Sequence, residues 1–190
     1  MKNMNEQKRL FIAIDLPHDV KIYLHNIALN LNNRDRDIRA IPPENIHITL
    51  KFLGDTNISK IEKIMEAIKN ASGDFQSFSY KIGKSLGAFP VAENARIVFA
   101  PVVEGSDKIV EIYKNLENNL SKIKIPKENR KFISHITIAR IRNKKNISEI
   151  LKNIELDYKN QHKCTKITLF ESRLKPDGAE YIVACEAGLK

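Results

Sequence analysis

Hydrophobic positions recur along the chain with two periods, and each change of period marks an element. Leu10 to Ile14 is an unbroken apolar run that reads as a buried strand, ended by Asp15-Leu16-Pro17, with Pro17 suited to open a helix. Val20, Tyr23, Leu24, Ile27 and Leu31 then fall at helical spacing, so one face of the segment from Pro17 to Leu31 packs inward. Asn32 to Arg39 is polar and reads as a loop. From Ile46 to Leu53 the period becomes two, with Ile46, Ile48, Leu50 and Phe52 on one face and His47, Thr49, Lys51 and Leu53 on the other. Gly54-Asp55 ends that strand. Ser59 and Glu62 have capping-box spacing ahead of a second amphipathic helix through Ile61, Ile64, Met65 and Ile68. A further strand is expected within Ser77 to Ala88.

The second half repeats this order. Ala95 to Val103 is a strand, Ile109 to Leu120 a helix after a Ser106 cap, and Phe132 to Ile138 a strand. A short helix follows around Ile147 to Ile154. Strands from Cys164 to Ser172 and from Tyr181 to Ala187 flank a turn at Pro176-Asp177-Gly178. Two pseudo-equivalent lobes are therefore expected. No linker rich in Gly, Pro or Ser divides them, so residues 1–190 are read as one domain.

Two tetrads stand at corresponding places in this repeat: His47-Ile48-Thr49-Leu50 and His135-Ile136-Thr137-Ile138. With five His and five Thr in 190 residues, a single His-x-Thr arises by accident in about one such chain in eight, so a matched pair is not chance. In a strand, residues two apart share a face, so each tetrad offers an imidazole beside a hydroxyl while its aliphatic residues anchor the other face. Brought together across a cleft, two such pairs suit a tetrahedral phosphate. The hydroxyls donate to non-bridging oxygens, and the imidazoles flank phosphorus where attacking and departing oxygens must lie. Imidazole, with an ordinary pKa of about 6.5, populates both protonation states near neutrality, so one ring takes a proton while the other gives one. A single copy would be better read as a half-buried strand histidine beside a Thr favoured by strand propensity. Zinc would need a third ligand at recognisable spacing. No metal and no cofactor is expected.

Charge narrows the partner. There are 32 Lys and Arg against 23 Asp and Glu, a formal charge of +9, which favours an anionic ligand. Trp is absent and aromatics are 7%, which argues against a surface built to stack many bases. No apolar run approaches a membrane span, no secretory signal is expected from the polar start, and the two cysteines, Cys164 and Cys185, are read as small buried fillers in a cytoplasmic protein. Lys51 shares the expected face of Thr49 and reads equally as a phosphate contact or as a strand-edge lysine. Arg34, Arg36, Arg39, Arg130, Lys131, Arg142, Lys144 and Lys145 flank the motif strands, where they could guide an RNA backbone or form a solvated surface. Phe11 reads first as core, and as a base platform if its strand borders the cleft.

The paired motifs, with Arg9 to Pro17 before them and Leu169 to Leu174, Gly178 and Tyr181 after, resemble the two-histidine phosphoesterases, and within them the RNA 2',3'-cyclic phosphodiesterase or 2'-5' RNA ligase family. The resemblance implies an α+β, bilobal fold: two antiparallel sheets flanked by helices, related by a pseudo-twofold repeat around a central cleft. It implies hydrolysis of the 2',3'-cyclic phosphate ends of RNA to 2'-phosphates without metal. A monomer is expected, with tRNA halves among the substrates and 2'-5' ligation as a side activity. His47 takes the acid role and His135 the base role by that resemblance. Arg140, after the second motif, becomes a phosphate contact by the same resemblance, although strict alternation puts it on the face opposite His135 unless the strand ends, bulges or twists first. The competing reading is an RNA or nucleotide binding module of the same fold with little turnover.

Overall fold

The computed structural model describes residues 6–176 and 178–190; Asp177, the middle of the expected turn, lies outside them. In chain order the elements are β1 (Gln7–Asp15), α1 (His18–Arg34), β2 (Ile38–Ala40), β3 (His47–Asn57), α2 (Ile61–Ser72), β4 (Phe78–Ile82), β5 (Gly87–Phe89), β6 (Ala95–Glu104), α3 (Ser106–Lys122), β7 (His135–Lys145), α4 (Ser148–Lys152), β8 (His162–Cys164), β9 (Lys166–Lys175) and β10 (Gly178–Gly188). They form two antiparallel sheets, one in the order β10-β9-β1-β3 and one in the order β2-β7-β6-β4-β8, with β5 paired to β6 as well. No helix among the described residues is long and apolar enough to cross a membrane.

The helices form where apolar side chains fall on one stripe. Val20, Leu24, Ala28 and Leu31 of α1 are buried, as are Ile64, Ala67, Ile68 and Ala71 of α2 and Ile109, Ile112, Leu116 and Leu120 of α3. Two caps differ from expectation. The residue before α2 is Lys60, which makes no side-chain cap, and it is the preceding 3-10 turn Ile58–Lys60 that is capped, the Asn57 side chain accepting the Ser59 backbone N–H. Gly105 occupies the position before α3 with φ +71, and a Cβ there would collide with the Ser79 carbonyl, so glycine is required. One contiguous core takes residues from both sheets, among them Leu10, Ile12 and Ile48 of the first and Ile38, Val98 and Ile136 of the second.

Three short strands escaped the hydrophobic pattern: β2, β5 and β8. β2 lies in the segment expected to be loop, and it matters most for the site. Its Ala40 pairs with Ala139 of β7, the Ile41 N–H donates to the Ile138 carbonyl, and a single 3-10 turn at Pro43–Asn45 then leads into β3. The first motif strand is thereby started beside the second. The Asn45 side chain donates to the Ala179 carbonyl and ties that turn to β10. The His25 ring bonds the Ile41 carbonyl from α1, which gives that histidine a structural task.

Candidate active site

Each motif strand carries the same irregularity at the same place. Along β3, Thr49 pairs with Ala13 and Lys51 with Ile12, so Leu50 is an extra residue in the ladder with β1. Along β7, Thr137 pairs with Phe99 and Ala139 with Val98, so Ile138 is the extra residue. A bulge three residues after each histidine reverses the alternation that follows it. Leu50 and Lys51 are both buried, as are Ile138 and Ala139, and the next residue, Phe52 or Arg140, returns to the face of the His-x-Thr pair.

This bulge brings Arg140 to the imidazole face, where simple alternation would not. The same bulge corrects the expectation for Lys51. That side chain is 3% exposed and turned away from Thr49, held by Glu117 at 2.8 Å, Glu128 at 3.6 Å and the Pro126 carbonyl at 2.8 Å. Its place beside the first motif is taken by Phe52, which is 64% exposed and which simple alternation assigned to the core.

His47 and Thr49 are half-buried, and the Thr49 hydroxyl lies 2.9 Å from Nε2 of His47. A hydrogen bond to the Asn45 backbone favours the charged ring, but burial outweighs it and pushes the pKa down to about 4. Asp15, directly opposite His47 in the β1–β3 ladder, opposes that drop. Lys21, 2.6 Å from Asp15, deepens it, and so does Arg140. The effect of Arg140 on His47 links the two motifs, because Arg140 belongs to the second sheet.

His135 is also half-buried and its pKa is lowered by burial, against a 2.7 Å hydrogen bond from Nδ1 to the Ile133 carbonyl. A carbonyl only accepts, so Nδ1 carries the proton of the neutral ring and Nε2 is left as the basic atom.

Aromatic walls fix both rings. Phe11 is 2% exposed and packs 4.9 Å from the His47 ring, in a small cluster with Ala13, Phe170 and Tyr181 on the site face of the first sheet. The expectation of Phe11 as a base platform is corrected to a wall under the imidazole. Phe89 and Phe99 meet His135 edge-on at 5.0 and 5.3 Å. The sequence reading assigned no site role to Phe52, Phe89 or Phe99, and named Tyr181 only as part of the resemblance. For Phe99 a signal was Gly87, where any Cβ would enter the Phe99 ring.

A family model described as LigT like phosphoesterase matches residues 14–99 and again residues 100–181. The two matches divide the sequence into halves with one His-x-Thr motif in each, although each sheet draws strands from both halves. The chain belongs to the LigT-like phosphoesterase family. An RNA 2',3'-cyclic phosphodiesterase of Methanocaldococcus jannaschii is 31% identical over 182 residues, covering 94% of this chain and 99% of that one. One of the same name from Thermotoga maritima is 37% identical over 134 residues, 70% of each chain. Among solved structures, the protein TT0787 of Thermus thermophilus superposes with a TM-score of 0.79 at 23% identity, covering 95% of this chain and 97% of that one. Escherichia coli LigT complexed with 3'-AMP gives a TM-score of 0.79 at 19% identity, covering 97% and 99%. These structural likenesses establish the LigT-like fold, and the two-sheet α+β architecture expected from the sequence holds.

Proposed function

We propose that this phosphoesterase hydrolyses the 2',3'-cyclic phosphate end of RNA to a 2'-phosphate, using His47 and His135 and no metal. The observation that carries the reading is the duplicated His-x-Thr with its duplicated bulge, on strands that approach each other. The names of the sequence relatives supply the substrate class.

In this mechanism Thr49 and Thr137 donate to the non-bridging phosphate oxygens and Arg140 neutralises their charge. Nε2 of His135 takes a proton from water as its oxygen bonds to phosphorus in line with the bond to O3'. That bond breaks, and His47 gives its proton to O3', leaving a 2'-phosphate and a 3'-hydroxyl. The anionic substrate supports the acid role. It offsets the positive field of Arg140 and Lys21 at His47 and so raises the fraction of that ring holding a proton. The reverse assignment, His47 as base, is favoured by one observation, the depression of His47 to about 4 before substrate binds. Replacing water by an RNA hydroxyl would turn the same chemistry into 2'-5' joining.

The test is incubation of an oligonucleotide bearing a 2',3'-cyclic end with purified protein in excess chelator. Formation of the 2'-phosphate supports the proposal. Formation of a 3'-phosphate, loss of activity on chelation, or tight binding with no product each overturns it, the last in favour of a binding module.

A further inference from the structure

Two arginines face each other across the edge of the second sheet. Arg39 of β2 and Arg140 of β7 are paired in the antiparallel ladder, and residues directly opposite project from the same face. Their neighbours fix which face this is. Ile38 with Ile141, and Ala40 with Ala139, turn to the core, so Arg39 and Arg140 project on the side that carries His135 and Thr137.

Like charges directly opposite are destabilising in a sheet. Neither arginine is relieved by an ion pair among the described residues, although acids are close at hand. Asp35 and Asp37, just before β2, pair with Lys145 at 2.6 and 3.4 Å. The cation further from the motif is neutralised, and the two beside it stay exposed and bare. Such an arrangement suits phosphate, which guanidinium binds in bidentate fashion.

The chemistry of the substrate says which phosphate. A 2',3'-cyclic phosphate ends the RNA at its 3' side, so the chain leaves the site only in the 5' direction. The first further anion is the 5'-phosphodiester of the terminal nucleotide. Arg140 is the arginine whose charge reaches His47, whereas Arg39 stands one strand further out, on the edge strand. Resting on the proposed hydrolysis, we infer that Arg39 binds the 5'-phosphodiester of the terminal nucleotide and makes the protein select RNA chains over free nucleoside cyclic phosphates.

The experiment compares kcat/KM on adenosine 2',3'-cyclic phosphate, which lacks a 5'-phosphate, with kcat/KM on the adenylyl dinucleotide carrying the same cyclic end. Arg39→Gln is expected to lower the dinucleotide-to-nucleoside ratio about 10-fold, the scale of one lost charged hydrogen-bonded contact. Arg39→Lys should retain part of the ratio, and Lys159→Gln, the same charge change at an exposed site elsewhere, should leave it as in the wild type. An unaltered ratio in Arg39→Gln overturns the inference. So does an equal fall on both substrates, which would put Arg39 on the cyclic phosphate itself. Should the wild type turn over neither substrate, the hydrolysis reading falls and the inference is read from binding. Adenosine 2'-monophosphate and adenosine 2',5'-bisphosphate are then the probes: an Arg39-dependent preference for the bisphosphate upholds it, and equal affinities overturn it.

Discussion

Nζ of Lys51 lies 2.8 Å from Oε1 of Glu117, and both side chains are buried. The pair joins the first motif strand to α3, and through Glu117 to the loop ahead of the second motif, because the other Glu117 oxygen accepts the Glu128 N–H at 2.6 Å. Lysine here is more than a packed residue. Removing one partner strands a buried charge, whereas removing both does not, so Lys51→Met should cost about 3–5 kcal/mol. Adding Glu117→Leu should recover most of that loss. Urea denaturation of the single and double variants measures it, and a Lys51→Met protein as stable as the wild type would refute the ion-pair account.

His47→Ala and His135→Ala should each lower kcat by about 10²–10⁴-fold, the usual yield of a positioned acid or base. Both rings are half-buried on the site face rather than in the main core, so the folded fraction should change little. Single-turnover rates on a cyclic-ended oligonucleotide, with a thermal melt for each variant, test both parts. Full activity in either variant removes that ring from the mechanism.

Thr49 contacts His47 through its hydroxyl. Thr49→Val keeps the shape and deletes that group, with an expected loss in kcat/KM of about 1 kcal/mol or more, roughly a fivefold change. Thr137→Val, at the matching place, should behave alike. Kinetic constants that match the wild type in both would exclude the hydroxyls from phosphate binding.

The protonation states give a pH signature. For the free protein the two limbs of kcat/KM report the histidine pair, with one pKa near 4 and the other held below its ordinary value of about 6.5 by burial. The maximum should therefore lie on the acid side of about 6.5, and the bound anion should move the limbs of kcat upward. The same shift governs folding. Below about 6.5 the unfolded chain binds protons that the folded His47 refuses, so stability falls as the pH drops towards 4. His47 alone accounts for at most about 3 kcal/mol of that fall. His47→Gln should flatten this part of the stability curve, and a variant with undiminished pH dependence would show that the ring is not depressed.

What the sequence disclosed follows from how locally each feature is encoded. The His-x-Thr pairs, the helices and the long strands repeat every two to four residues and could be read directly. The bulges at Leu50 and Ile138 could not, since no residue type announces them, and each inverts the faces beyond it. That inversion misplaced Lys51 and Phe52 and left Arg140 on the wrong side. The partner of Lys51 on α3 is also 66 positions away in sequence (117 − 51), beyond the reach of any local pattern. β2 was hidden because a three-residue edge strand with an arginine at its centre resembles a loop.

Gly87 tests how closely the wall behind His135 is fitted. Its Cα is paired with Phe99, and an added Cβ would overlap the end of the Phe99 ring. That ring meets the His135 imidazole edge-on, and its backbone is paired with Thr137, so it has little room to move without disturbing one or the other. Gly87→Ala should therefore act on catalysis as well as on packing. A loss of about 1–3 kcal/mol in stability is expected from overpacking. A fall in kcat of roughly 10-fold with a smaller change in KM is expected if the displaced ring tilts the base away from the attacking water. Phe99→Leu in the Gly87→Ala background makes space for the new methyl group and should restore stability. The kcat of that double variant is the decisive reading. Recovery of stability without recovery of kcat would show that the Phe99 ring holds His135 in place, whereas full recovery of both would reduce Phe99 to filler.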